Sequence, residues 1–172
     1  MTDKTPPAPD QDNKQSLSEF EVSLTILWNS VKRWMSMRSS QTTLSGLSDL
    51  DVFLMHLLVY RDRELRANDL AFALSIDDMH LVSYSLKKLV RLEAITSSKN
   101  GKEVFYKAAD KAKQHYTEFL HDRENFLEPA LKHLNYGDYD LASLAQLLRA
   151  LSSVYEQAAR KAASSEGGQN MQ

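Results

Sequence analysis

One Asn-Gly pair, Asn100-Gly101, constrains the fold of this chain most strongly, because it stands between two strand-like runs in a sequence otherwise patterned for helices. The runs cover residues 94–98 and 103–107. Asn-Gly is the strongest two-residue hairpin signal, since both central residues of a type I′ turn need a positive φ. The sequence therefore predicts one β-hairpin in a mainly α domain, and a lone hairpin among helices requires an explanation.

Two consecutive helices are predicted directly before the hairpin. The first is short and covers residues 68–74. The second begins at Asp77, a residue type that caps helices well, and runs to about residue 92. One face of this second helix is polar and basic, and the other is expected to fill the core with Leu81, Val82, Leu86, Leu89 and Leu92.

Longer amphipathic helices flank this centre. One begins near Ser16 or Ser18, each of which has a Glu three residues on, as a capping box requires. Another is capped by Ser48 and is apolar around most of its circumference, which predicts central burial. After the hairpin, a helix runs from residue 110 to about 134, with a kink or shortening at Pro129, and the last helix follows a turn at 135–138.

The first helix carries an unusually aromatic stripe. Its two tryptophans, Trp28 and Trp34, leave two interpretations open, namely ordinary core packing, which is favoured, and a subunit interface. The stripe follows the helical spacing of three and four residues and consists of Leu17, Phe20, Leu24, Leu27, Trp28, Val31, Trp34 and Met35.

Composition excludes several classes of protein and site. The 172 residues include no cysteine, which removes disulfides, cysteine-based zinc sites and thiol nucleophiles and fits a reducing cytoplasm. The first sixteen residues lack the apolar core of a signal peptide, and no run is long enough to span a membrane, so a cytoplasmic protein is expected. Residues 1–15 and 164–172 are expected to be disordered, and residues 16–163 to form a single domain.

The distribution of charge points to duplex DNA. The net charge is −2, so any contact with nucleic acid must be local. Residues 79–107 carry six basic and two acidic side chains, a local excess of positive charge on an otherwise acidic chain. The major groove admits one α-helix, and a basic hairpin beside it can reach flanking phosphates or the minor groove.

Residues 47–112 resemble the MarR-type winged helix regulators. The run LRANDLAFALSI at 65–76 is similar to that family's first helix of the motif, and LVSYSLKKL at 81–89 is similar to its recognition helix, although the second run is equally ArsR-like. The hairpin followed by two long helices favours MarR. The wing has Asn100-Gly101-Lys102 where MarR proteins usually have Asp-x-Arg, so the fork geometry of Arg is lost.

The resemblance implies a mainly α fold, a winged helix-turn-helix with a small β-hairpin wing and flanking long dimerisation helices. The DNA-binding lobe would be residues 47–107, and residues 16–38 and 110–163 would form the dimer interface. The expected function is that of a homodimeric transcriptional regulator of double-stranded DNA, with the recognition helix at about 77–92 in the major groove and the wing, 96–107, on the backbone or minor groove. An unidentified small-molecule effector is the other expected partner.

By the same resemblance, nine residues are expected to contact DNA. Ser83 and Tyr84 are candidates for base or sugar contacts, and the lysines for phosphate contacts. His80 is either a phosphate contact or an exposed residue without a role. The full set is His80, Ser83, Tyr84, Lys87, Lys88, Arg91, Lys99, Asn100 and Lys102.

Two other functions compete with this interpretation. A metal or acid-base site could be built from His115, Glu118, His121 and Asp122, but helical phase turns His121 away from His115, and no catalytic motif is present. The sequence therefore predicts neither an enzyme nor a metal or cofactor. The second alternative is a winged helix used only for protein binding or dimerisation, which the acidic pair at 77–78 and the altered wing would favour.

Overall fold

The computed structural model describes residues 9–39, 44–133 and 140–167, which are mainly helical with one small sheet. They form two compact units, the first ending at Asn125 and the second beginning at Phe126. The mainly α fold with a hairpin wing is confirmed. In chain order the elements are α1 (Pro9–Ser39), α2 (Asp49–Arg61), β1 (Leu65–Arg66), α3 (Ala67–Ala73), α4 (Met79–Arg91), β2 (Ile95–Asn100), β3 (Glu103–Ala108), α5 (Asp110–Asp122), a π-helical segment (Arg123–Leu127), α6 (Glu128–His133) and α7 (Leu141–Gly167).

The core of the first unit is built around α2, as its apolar circumference predicts. Leu54, Met55 and Leu58 of this helix are fully buried. Ser48 caps α2 by accepting a hydrogen bond from the Asp51 amide, and the Asp51 carboxylate accepts one from the Ser48 amide at 2.8 Å, which completes a capping box. The buried apolar residues that α4 and β2 add to this core are Val82, Leu86, Leu89 and Ile95.

The sheet has three antiparallel strands in the order β1-β3-β2. The two residues between β2 and β3 are Gly101 and Lys102, so Asn100 ends a strand instead of occupying the turn centre. Gly101 has a φ of 62°, a conformation that residues with a side chain rarely adopt. The pairing of Arg66 with Phe105 attaches the wing to the start of α3, and the sequence analysis did not predict the short strand that makes it.

Several helix boundaries differ from the predicted ones. α1 begins at Pro9 instead of near residue 16, so the helix is longer at its N-terminus than the capping pattern predicts. α7 likewise continues to Gly167, beyond the predicted start of the tail. The helix after the hairpin is interrupted before Pro129, as predicted, and the interruption is a π-helical turn, since proline lacks the N–H that would bond to the Asn125 carbonyl. Residues 1–8, the turn at 135–138 and residues 168–172 lie outside the described part of the chain.

The tryptophans of α1 have different environments. Trp34 packs against the core, as the favoured interpretation predicts. Trp28 stacks on Phe53 with ring centroids 5.6 Å apart, but it remains half exposed. Across 9–39, 44–133 and 140–167, no helix is long and apolar enough to cross a membrane.

Candidate nucleic-acid interface

α3 and α4 form a helix-turn-helix whose second helix has one buried and one exposed side. Ser83 is half buried, and Leu81, which the sequence analysis assigned to the core, is 55% exposed. That assignment is wrong because Leu81 lies about a quarter of a helical turn away from the centre of the buried face. Apolar spacing in the sequence does not show whether a residue at this angle is covered. The exposed residues of the helix are His80, Leu81, Tyr84, Lys87 and Arg91.

The acidic pair before α4 is partly used in capping. Asp78, not Asp77, is the N-cap, and its Oδ1 accepts hydrogen bonds from the His80 amide at 2.8 Å and the Leu81 amide at 3.2 Å. The carboxylate therefore interacts favourably with the positive end of the helix dipole and fixes the first turn. Asp77 is exposed.

A buried carboxylate anchors α4 to the start of α2. Asp51 is 1% exposed and accepts hydrogen bonds from the Ser85 hydroxyl and from the Lys88 ammonium, the latter at 2.6 Å. Burial alone would raise the pKa of Asp51, but the hydrogen bonds from Lys88, Ser85 and Ser48 together lower it below its usual value. The carboxylate is therefore ionised and fully engaged at neutral pH.

This anchor gives Lys88 a structural role. Its ammonium also donates to the Gly46 carbonyl at 2.7 Å, and its side chain is only 20% exposed. The phosphate contact expected of Lys88 stays a prediction, but its charge is already paired inside the lobe. The Ser-x-x-Asp pattern at Ser48 and Asp51 is the signal in the sequence that could have indicated Asp51, although not its partner on α4.

An exposed ionic clasp joins the turn end of the wing to the start of α3. The Arg66 guanidinium donates to both carboxylate oxygens of Asp69 at 3.0 Å and to the Glu103 carboxylate at 2.7 Å. The hydrogen bonds with Asp69, and then those with Glu103, raise the pKa of Arg66, and the bond from Arg66 lowers the pKa of Asp69. The clasp neutralises the acidic group closest to the wing turn. No sequence signal indicates it, because Arg66 and Glu103 are distant along the chain.

The remaining positive charges of the lobe are unpaired. On α4 and the wing, as far as the structure describes the chain, five cations have no carboxylate within ion-pair distance, and all five are exposed. Asn100 at the end of β2 is exposed as well. The structure thus brings together on α4 and the hairpin most of the predicted DNA-binding set, and the unpaired cations are Lys87, Arg91, Lys99, Lys102 and Lys107.

Residues 47–112 match the family model described as a winged helix DNA-binding domain. The chain has a MarR-like winged helix fold. Among solved structures it is similar to the transcriptional regulator BldR from Sulfolobus solfataricus, at 14% identity and a TM-score of 0.61, over 87% of this chain and 99% of that one. A MarR family protein from Bacillus stearothermophilus matches at 12% identity and a TM-score of 0.60, over 83% and 97% of the two chains.

A third solved structure, FabT from Streptococcus pneumoniae in complex with DNA, matches at 12% identity and a TM-score of 0.58. The match covers 81% of this chain and 95% of FabT. No curated protein matches the sequence. At these identities the similarity establishes a shared fold, and the contacts that this chain makes have to be argued from its own residues.

A histidine pair is buried between α2 and α5. His56 Nε2 lies 3.2 Å from His115 Nδ1, and His115 Nε2 is buried without a hydrogen-bond partner among the described residues. The pair lies beside the rings of Tyr116 and Phe119. Burial, and then the neighbouring His115, lower the pKa of His56 to about 3, and burial also lowers the pKa of His115.

The residues weighed as a metal or acid-base site do not converge. His115 turns inward to His56, whereas His121 is exposed and bonds with Asn125. Glu118 accepts a hydrogen bond from Gln114. Within the described ranges, no three His, Asp or Glu side chains are grouped to hold a metal ion.

Proposed function

We propose that this protein is a homodimeric, sequence-specific transcriptional regulator that binds duplex DNA. The observation that carries the proposal is the set of five unpaired cations on α4 and the wing of a winged helix domain. The other two charged side chains of these elements, Lys88 and Glu103, are paired with Asp51 and Arg66. In this arrangement α4 enters the major groove and the wing follows the adjacent backbone or minor groove. The function is one of binding and involves no catalytic step.

The contacts are assigned by side-chain chemistry. Lys87, Arg91, Lys99 and Lys102 meet phosphates, because unpaired ammonium and guanidinium groups gain most where counterions are released. Tyr84, 70% exposed in the middle of α4, contacts bases. The sequence-specific part of binding then lies on α4, and the sequence-independent part is shared with the wing.

The dimer is proposed from unpartnered apolar surface. In α1, Leu24, Leu27 and Val31 follow helical spacing and are exposed, together with one side of Trp28. In α7, described by itself, a second exposed series includes Leu141, Leu144, Leu147 and Leu148. Apolar patches of this length on a stable protein mark an interface, and a two-fold dimer through the first and last two helices places one recognition helix in each half-site.

The similarity to FabT, whose structure contains DNA, supports the same assignment. An unidentified small-molecule effector is the second proposed partner, and it would control DNA binding. The competing function, a winged helix that binds only protein, is distinguished by salt, since binding to phosphates weakens steeply as salt rises and apolar docking does not.

Lys87→Ala and Lys102→Ala are expected to weaken binding to every duplex and to flatten its salt dependence. Each phosphate contact adds about 0.9 to the slope of log affinity against log salt, so a two-fold dimer loses about twice that for each substitution. Tyr84→Ala is expected to change the preference among sequences instead. Fluorescence anisotropy at several salt concentrations measures both effects.

Lys113→Ala on α5 is the matched control, since it removes the same charge from an exposed lysine outside α4 and the wing. It should leave the salt slope unchanged. A slope that stays constant in the Lys87 and Lys102 variants would contradict the phosphate assignment, and equal losses on all sequences from Tyr84→Ala would contradict the role of that side chain.

A further inference from the structure

The first turns of α4 present apolar surface where the helix would meet the groove. Leu81 is 55% exposed and Tyr84 is 70% exposed, and their spacing of three residues makes them neighbours on the helix surface. The hydrogen bond from the Leu81 amide to Asp78 holds this turn in place. More than half of the Leu81 surface is left uncovered by the described chain, so this apolar surface is available to a partner.

The chemistry of the groove restricts what Leu81 can recognise. In the major groove a base pair offers hydrogen-bond donors, acceptors and, on thymine alone, a methyl group at C5. A leucine side chain can neither donate nor accept a hydrogen bond. If Leu81 faced a donor or acceptor of a base, it would displace water from that group without replacing the hydrogen bond. The thymine methyl is the one feature of the groove that gains from contact with Leu81.

We propose that Leu81, flanked by the ring of Tyr84, recognises the 5-methyl group of thymine. This inference rests on the proposed function. Each half-site then carries a thymine opposite the first turn of α4. The N-terminal residues of a recognition helix are those that reach base edges, which is where Leu81 lies. The unpaired Lys87 one turn further on holds the helix in register through the backbone.

The test uses duplexes recovered from a random pool by the purified full-length protein. Each thymine of the recovered site is replaced in turn by uracil, which pairs identically with adenine but lacks the methyl group. Burial of one methyl contributes about fourfold in affinity, so replacement at the contacted position of both half-sites should weaken binding about fifteenfold. Replacement at other positions should change affinity little.

Substitutions in α4 connect the effect to the side chain. In Leu81→Ala the ratio of thymine to uracil affinities should fall close to one, and in Leu81→Met, which keeps an apolar side chain of similar volume, it should persist. Lys87→Ala is the control on the same helix, since it should weaken both duplexes equally and retain the ratio. Because Leu81 is exposed, none of these changes disturbs the core.

The outcomes separate the two proposals. Equal affinity for thymine and uracil duplexes, a recovered site without thymine, or a ratio that survives in Leu81→Ala overturns the inference and leaves the regulator function standing. If no duplex is retained even at low salt, both fail and the apolar turn belongs to a protein interface. A ratio that is present in the natural protein and lost only with Leu81 establishes the contact.

Discussion

Replacing Asp51 by alanine is expected to lower the free energy of unfolding by about 3–5 kcal/mol, as when one partner of a buried ion pair is removed. The carboxylate accepts hydrogen bonds from Ser85, from Lys88 at 2.6 Å and from the Ser48 amide at 2.8 Å. Its loss leaves the largely buried Lys88 ammonium with the Gly46 carbonyl as its remaining acceptor and removes half of the capping box of α2. Urea denaturation followed by circular dichroism measures the change.

Asp49→Ala is the matched control, because Asp49 lies in the same helical turn and, among the described residues, its carboxylate accepts a hydrogen bond only from the neighbouring Leu50 amide. It should cost well under half as much. The double substitution Asp51→Leu with Lys88→Met should recover most of the loss, since replacing a buried pair with apolar residues is often close to neutral. If Asp51→Ala and Asp49→Ala cost the same, the buried anchor would not stabilise the lobe.

The buried histidine pair is expected to make the protein less stable as the pH falls below about 6.5. Burial, and then His115, hold the pKa of His56 at about 3 in the folded chain, whereas the unfolded chain protonates it near 6.5. Above that pH both states are neutral and His56 has no effect. Between the two values the unfolded state binds more protons, so stability declines with decreasing pH, and His56 alone accounts for about 2–3 kcal/mol at pH 4.5.

His56→Gln tests this dependence, since glutamine keeps a hydrogen-bonding side chain that does not titrate. The free energy of unfolding of this variant should change less between pH 6.5 and 4.5 than that of the natural protein, by about 1.4 kcal/mol for each pH unit. His121→Gln, which removes an exposed histidine from the same helix as His115, serves as the control and should keep the natural slope. If the free energy of unfolding changed with pH equally in His56→Gln and His121→Gln, the protonation of His56 on unfolding would not be the source of the pH dependence.

The sequence was sufficient for the wing, the helix-turn-helix and most of the exposed face of α4, because each depends on local signals. The glycine of the Asn-Gly pair marks the turn, an acidic cap starts α4, and apolar spacing separates its two sides. The predicted burial of Leu81 is wrong because this residue borders the apolar stripe, and apolar spacing alone does not show where the covered face ends. Only the tertiary structure shows that α2, α3 and β2 pack against α4 and cover a narrower face of it.

The contacts that hold the lobe together could not be predicted in the same way. Lys88 resembled one more exposed lysine, and its pairing with Asp51 depends on how α2 packs against α4. The Arg66 clasp likewise depends on the register that brings β3 beside β1. Both are long-range contacts, and the sequence pattern contains the charges without indicating their partners.

We propose that the two α4 helices of a dimer together bind one specific duplex. Incubating the purified protein with a random duplex pool at low and near-physiological salt, and sequencing what is retained, tests it most directly. We expect enrichment of a palindromic site with half-sites about one helical turn apart, about 10–10.5 base pairs from centre to centre, and weaker retention at higher salt. Retention of no duplex at low salt, or retention without sequence preference at either concentration, would contradict it.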